Sequence, residues 1–91
     1  MKDLKQCREQ LDIIDKEIIK LFEKRMSVIK DVALYKKQNN LPIVDEEREK
    51  VMLQNNIEKF NNPELKQYYK TILKAYIDVS KQYQINLIKN K

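Results

Sequence analysis

From Leu4 to Tyr35 the apolar side chains return at alternating steps of three and four: Leu4, Cys7, Leu11, Ile14, Ile18, Leu21, Val28, Val32 and Tyr35. That alternation is the heptad seam of a long packed helix. Arg25 is the one position in the register that breaks it, and no Gly or Pro interrupts the run. The chain contains no Gly at all and only two Pro. Hairpins and Gly-rich phosphate loops need such residues for their backbone conformations, so the fold is expected to be all-helical.

Three helical segments follow from the pattern. The first runs from about Asp3 to Asn39, where Asn39 and Asn40 tolerate the left-handed conformation that ends a helix and Pro42 blocks its continuation. The second starts at Asp45, an N-cap residue, and puts Glu46, Glu47 and Glu49 near the positive end of its dipole before running toward Phe60. "NNPEL" announces the third, with Asn62 as N-cap and Pro63 in first position, and it continues to about Ile88. Its inward row is read as Leu65, Tyr68 or Tyr69, Ile72, Tyr76, Val79, Tyr83 and Leu87, with Ser80 and Gln84 beside it.

Ninety-one residues make one small domain, residues 1–91, with a poor ratio of core to surface. A first helix of about 37 residues is about 55 Å long, more than two further helices can cover. The expected solution is a two-fold homodimer in which two copies of the long helix pair. The single Cys forms no disulfide within the chain, and "MKDLKQCREQ" has no apolar core of signal-peptide length, so a reducing cytoplasm is expected. No run is long and apolar enough to suggest a membrane span.

A net charge of +5 implies an anionic partner without choosing its class. The residues that are missing narrow the chemistry further. With no His, no Gly and one Cys, Ser-His-Asp and Cys-His arrangements, thiolate zinc clusters, P-loops and dinucleotide fingerprints are all excluded. Arg, Lys, Glu, Asp, Ser and Gln must therefore carry any reaction.

Arg8, Arg25 and Lys36 all project within about a third of a turn of the seam, not on the far polar face. Arg25 and Lys36 are about 16 Å apart along the axis, close enough for two extended side chains to converge on one small ligand. Arg8 is about 25 Å from Arg25 on the same helix, which is too far. In an antiparallel dimer crossing near residue 19, however, the Arg8 of the second copy arrives opposite residue 30. Taken singly, these residues have plainer readings. Arg8 can be a solvated charge, Lys36 a cation at the helix's negative end, Asp45 and Glu49 capping residues, and Ser80 and Gln84 polar fillers. Arg25 on the seam needs a partner, and an ion pair with Glu49 is its structural alternative.

Arg8 within "CREQLDIIDKEI", Arg25 within "LFEKRMSVIKDVALYKK", Lys36, "LPIVDEEREK" and "SKQYQ" together resemble, in order and spacing, the all-helical (type II) class of chorismate mutases. The likeness extends across essentially the whole chain. It implies three-helix protomers (long helix, short helix, long helix) in an intertwined antiparallel homodimer, with each active site completed by the neighbour's first helix. The implied reaction converts chorismate to prephenate, on the route to phenylalanine and tyrosine, with no nucleophile, metal or cofactor. The resemblance assigns Arg25 and the second copy's Arg8 to the substrate carboxylates, with Ser80 donating a further hydrogen bond. Lys36 and Gln84 are assigned to the ether oxygen, Glu49 and the backbone at Asp45 to the ring hydroxyl, and Arg48 to added positive potential. Asn40 stands where many relatives have Gly, which asks only for a left-handed Asn.

Three other readings remain beside this one. Isochorismate-pyruvate lyases share the fold, but with a less acidic loop than the one holding Asp45 and Glu49. A basic helical dimer binding nucleic acid or protein would carry its cations as an exterior stripe, whereas Arg8, Arg25 and Lys36 follow the seam. The last is an adaptor that kept the fold and lost the chemistry. No nucleic-acid or membrane partner is expected, and three helices leave no evident domain for feedback control.

Overall fold

The computed structural model describes residues 3–89, which form three helices: α1 (Leu4–Gln38), α2 (Glu46–Glu58) and α3 (Pro63–Lys89). Each boundary has a local cause. Asp3 caps α1 through a reciprocal pair, its carboxylate accepting from the Gln6 backbone N–H at 2.8 Å while Gln6 Oε1 accepts from the Asp3 N–H at 3.2 Å. At the other end Asn40 takes a φ of 54°, and the Leu41 N–H reaches back to the Lys36 carbonyl at 2.8 Å. This is a Schellman-type stop, which satisfies carbonyls the helix leaves without partners.

Asp45 caps α2 by accepting from the Arg48 N–H at 3.0 Å, with Glu46, Glu47 and Glu49 in the first turn. Asn62 accepts from the Glu64 N–H at 3.0 Å just ahead of Pro63 and so opens α3. Between α2 and α3 the Phe60 ring tilts against Tyr69, with centroids 4.6 Å apart, which fixes the turn. Tyr69, not Tyr68, is the inward member of that pair, Tyr68 being 71% exposed.

α3 packs against both α1 and α2, giving a thin body of 56 × 27 × 14 Å. Only Ala33, Leu73, Ser80 and Gln84 are buried among the described residues. The inward row of α3 therefore differs from the sequence expectation: Leu65, Ile72 and Val79 are exposed, and Leu73, Ser80 and Gln84 face the other helices. Apolar residues at 72, 73, 76, 77 and 79 make a face wider than one neighbour covers, and periodicity alone does not choose its centre.

α1 likewise has two surfaces. Its C-terminal half turns Ala33 and the half-buried Arg25, Ile29 and Lys36 toward α3 and the loop before α2. The seam faces outward along its N-terminal part, with Leu4, Leu11, Ile14, Ile18 and Leu21 exposed, whereas its later members Arg25 and Val32 are half-buried. No described helix is long and apolar enough to cross a membrane.

Candidate active site

The C-terminal half of α1, the start of α2 and the C-terminal half of α3 line a half-open cavity of about 460 Å³. Arg25, Lys36, Asp45, Arg48, Glu49, Ser80 and Gln84 all line it. Of the residues singled out from the sequence, only Arg8 lies elsewhere, exposed on the N-terminal part of α1. The floor is apolar, made by Val28, Ile29, Val32, Ile43, Met52 and Ile77. Polar groups thus converge on a largely apolar surface, the usual character of a small-molecule site.

Each polar side chain is held by a specific contact. The Arg25 guanidinium donates to Ser80 Oγ and sits 5.5 Å from the centroid of the Tyr76 ring, a cation–π contact. Ser80 Oγ in turn donates to the Tyr76 carbonyl at 2.7 Å. One hydroxyl therefore ties Arg25 to α3, and the guanidinium's remaining N–H groups are left for other acceptors. The alternative ion pair between Arg25 and Glu49 does not form: Arg25 is engaged by Ser80 and Tyr76, and Glu49 by a different cation.

That cation is Lys81, whose Nζ lies 2.9 Å from Glu49 Oε1. The hydrogen bond to Glu49 raises the Lys81 pKa above its ordinary value. Desolvation opposes the shift, while the charges of Glu49, Asp78 and Glu46 add to it. Lys81 went unread in the sequence because a lysine beside Ser80 looks like part of a solvated face. The available signal was spacing, since Ile77, Lys81 and Gln84 recur on one side of α3.

Lys36 donates from Nζ to the Ile43 carbonyl at 2.8 Å, so the loop between α1 and α2 fixes where its ammonium stands. Gln84 donates from Nε2 to the Ser80 carbonyl at 3.2 Å, whereas its buried Oε1 accepts no hydrogen bond from any described group. A buried acceptor without a partner is costly and concentrates at functional sites.

The cavity wall carries four cationic side chains, Arg25, Lys36, Arg48 and Lys81, against two carboxylates, Asp45 and Glu49. The excess suits a small ligand bearing more than one negative charge.

Comparison with known proteins agrees with this chemistry. The family described as chorismate mutase type II matches residues 7–85. The T-protein of Haemophilus influenzae is 44% identical over 54 residues, covering 59% of this chain and 14% of that protein. The chorismate mutase of Methanocaldococcus jannaschii is 46% identical over 50 residues, covering 55% of this chain and 50% of that protein. The bifunctional chorismate mutase/prephenate dehydratase of Aquifex aeolicus is 28% identical over 93 residues, covering 93% of this chain and 26% of that protein. The chain thus spans half or less of the length of these relatives. No solved structure matches it. With the family's pattern extending from Cys7 to Ile85, through all three helices and every wall of the cavity, the chain belongs to the chorismate mutase type II family.

Proposed function

We propose that this chain catalyses the rearrangement of chorismate to prephenate in the cavity between α1, α2 and α3. The observation that carries the reading is the cavity wall itself, where four cations and two carboxylates stand over an apolar floor. Chorismate is a dianion with a ring hydroxyl and an ether bridge. Its rearrangement breaks the ether C–O bond and forms a C–C bond in one concerted step, with no proton or electron exchanged with the protein. The protein's task is to hold the compact conformer and to stabilise the charge developing on the ether oxygen.

The residues divide that task by their chemistry. Arg25, anchored by Ser80 and Tyr76, presents forked donors to a carboxylate. Lys36, with further donors beyond the one on Ile43, and Gln84, with a second N–H on Nε2, donate to the ether oxygen. Glu49, supported by the backbone at Asp45, accepts from the ring hydroxyl, and Arg48 adds positive potential at the mouth. Ser80 acts chiefly by holding Arg25, since its own hydrogen is engaged by the Tyr76 carbonyl.

The site is completed by a second copy. The apolar seam of α1 is exposed from Leu4 to Leu21, an unfavourable surface for a chain in water. Antiparallel pairing of two α1 helices covers that seam and delivers the second copy's Arg8 to the cavity, where it meets the substrate's other carboxylate. The resulting assembly is an intertwined homodimer with two equivalent sites.

The test is loss of chorismate absorbance on addition of purified protein, with prephenate identified by its acid conversion to phenylpyruvate. Turnover abolished by Lys36→Met supports the reading. No turnover from a protein that sediments as an intact dimer refutes it.

A further inference from the structure

Glu49 is the one carboxylate of the cavity wall that is tied to another side chain by an ion pair, and its partner lines the same wall. We propose that Lys81 is a specificity-determining residue, which neutralises Glu49 so that this wall accepts a neutral hydroxyl and rejects a cationic group of the same size. The proposal rests on the chorismate reading of the cavity and names what that site discriminates against.

A bare carboxylate in an apolar cavity is ambivalent. It accepts a hydrogen bond from a hydroxyl, and it attracts an ammonium still more strongly through charge. Lys81 weakens that preference, because its ammonium at 2.9 Å from Oε1 brings the net charge of the pair to zero while the carboxylate keeps unused lone pairs. The pair is partly shielded, the two side chains being 31% and 24% exposed, so water screens it less than a surface pair. A second carboxylate, Asp78, stands 3.9 Å from the same ammonium but on the open side of α3, 78% exposed. The hydrogen bond to Glu49 is therefore the contact that orients Lys81. With Glu46 lending further negative charge from the first turn of α2, Lys81 stays protonated.

The geometry also assigns Lys81 to a holding role. Glu49 starts from α2 and Lys81 from α3, so the pair links the two helices across the cavity and restricts the Glu49 rotamer. A ring hydroxyl then meets an acceptor already in place. A ring ammonium at the same point would approach the Lys81 charge at close range, where like charges weaken binding by about tenfold or more.

The experiment compares chorismate with the analogue carrying an amino group in place of the ring hydroxyl. Michaelis constant and turnover are measured for chorismate, and the inhibition constant for the analogue as competitor, in the unsubstituted protein, Lys81→Met and Lys81→Arg. In Lys81→Met the ratio of the two constants should shift tenfold or more toward the amino analogue, chiefly through a raised Michaelis constant for chorismate and a lowered inhibition constant. Turnover should stay within about threefold, because the hydroxyl is bound about equally in ground and transition states. Lys81→Arg should restore the original ratio, and circular dichroism should show unchanged helix content in both variants. A ratio that moves less than tenfold in folded Lys81→Met overturns the inference while leaving the mutase intact. If the unsubstituted protein neither turns over chorismate nor binds the analogue, the reading of the cavity has failed and the inference fails with it.

Discussion

Arg8→Ala and Arg25→Ala proteins, each nearly inactive alone, are expected to recover activity when mixed. Arg25 lines the cavity and Arg8 does not. Along one straight helix the two are about 25 Å apart, well beyond the reach of two side chains toward one small ligand. If each cavity takes its second arginine from the other copy, a mixed dimer has one cavity with both arginines and one with neither. Random pairing of equal amounts makes half the dimers mixed, so about a quarter of all sites are intact. Loss of one charged donor to a bound carboxylate should lower kcat/KM by about 10²–10³-fold, so the pure variants supply almost no background. The assay is chorismate consumption after the mixture is unfolded and refolded together, with the mixed fraction read by native mass spectrometry on one mass-tagged variant. Mixed dimers present at half the total, with activity no higher than the pure variants, would refute the shared site.

Three further outcomes test other parts of the argument. Lys36→Met should lower kcat by about 10²–10³-fold, because the lost donor acts on charge present mainly in the transition state; a raised KM with unchanged kcat would deny it that role. Asn40→Ala should destabilise the protein by about 1 kcal/mol in urea unfolding, since Asn40 holds a left-handed φ of 54° that a methyl side chain disfavours. Asn40→Gly should be nearly neutral by the same measure, and equal losses in both would point to the Asn side chain instead. For the Lys81–Glu49 pair, a raised pKa in the folded protein means its stabilisation is complete below the ordinary lysine value of 10.5 and is lost as pH rises through the raised value. The melting-temperature difference between the protein and Lys81→Met should accordingly be flat from about pH 7 to 10 and shrink above it; a difference already fading by about pH 8 would contradict the assigned partner.

Helix ends were legible in the sequence because their causes are local. Asp45, Asn62, Pro63 and Asn40 each act within a few residues of where they stand, and each stands where its chemistry assigns it. The cavity was also legible, in the order of Arg25, Lys36, Asp45, Arg48, Glu49, Ser80 and Gln84 along the chain. Two things were not. The buried row of α3 is centred on Leu73, Ser80 and Gln84 instead of Ile72 and Val79, because a helix with apolar residues on adjacent faces does not record which face its own chain covers. Lys81 was missed for a different reason. Spacing places Lys81 on the same side of α3 as Ile77 and Gln84, but its partner Glu49 belongs to another helix, and local spacing does not name a through-space partner.

The small set of buried residues has a thermodynamic consequence. Ser80 and Gln84 are as protected as Leu73, so the best-shielded positions of α3 include two of the cavity's polar groups. Gln84 donates to a carbonyl that also serves the helix ladder, while its Oε1 is buried without a donor. An unsatisfied buried acceptor costs about 1–3 kcal/mol, and the single hydrogen bond from Nε2 returns about 1 kcal/mol. An apolar side chain of similar shape at this position should therefore leave the fold at least as stable, as is common where function maintains an unfavourable group. Gln84→Met is the direct trial: stability in urea should be unchanged or higher by about 1 kcal/mol, while kcat falls through loss of the donor to the ether oxygen. A variant that unfolds more readily and keeps its turnover would make Gln84 a strut of the fold. The opposite pair of results would mean the chain sustains a buried unmet acceptor because the reaction needs the amide there.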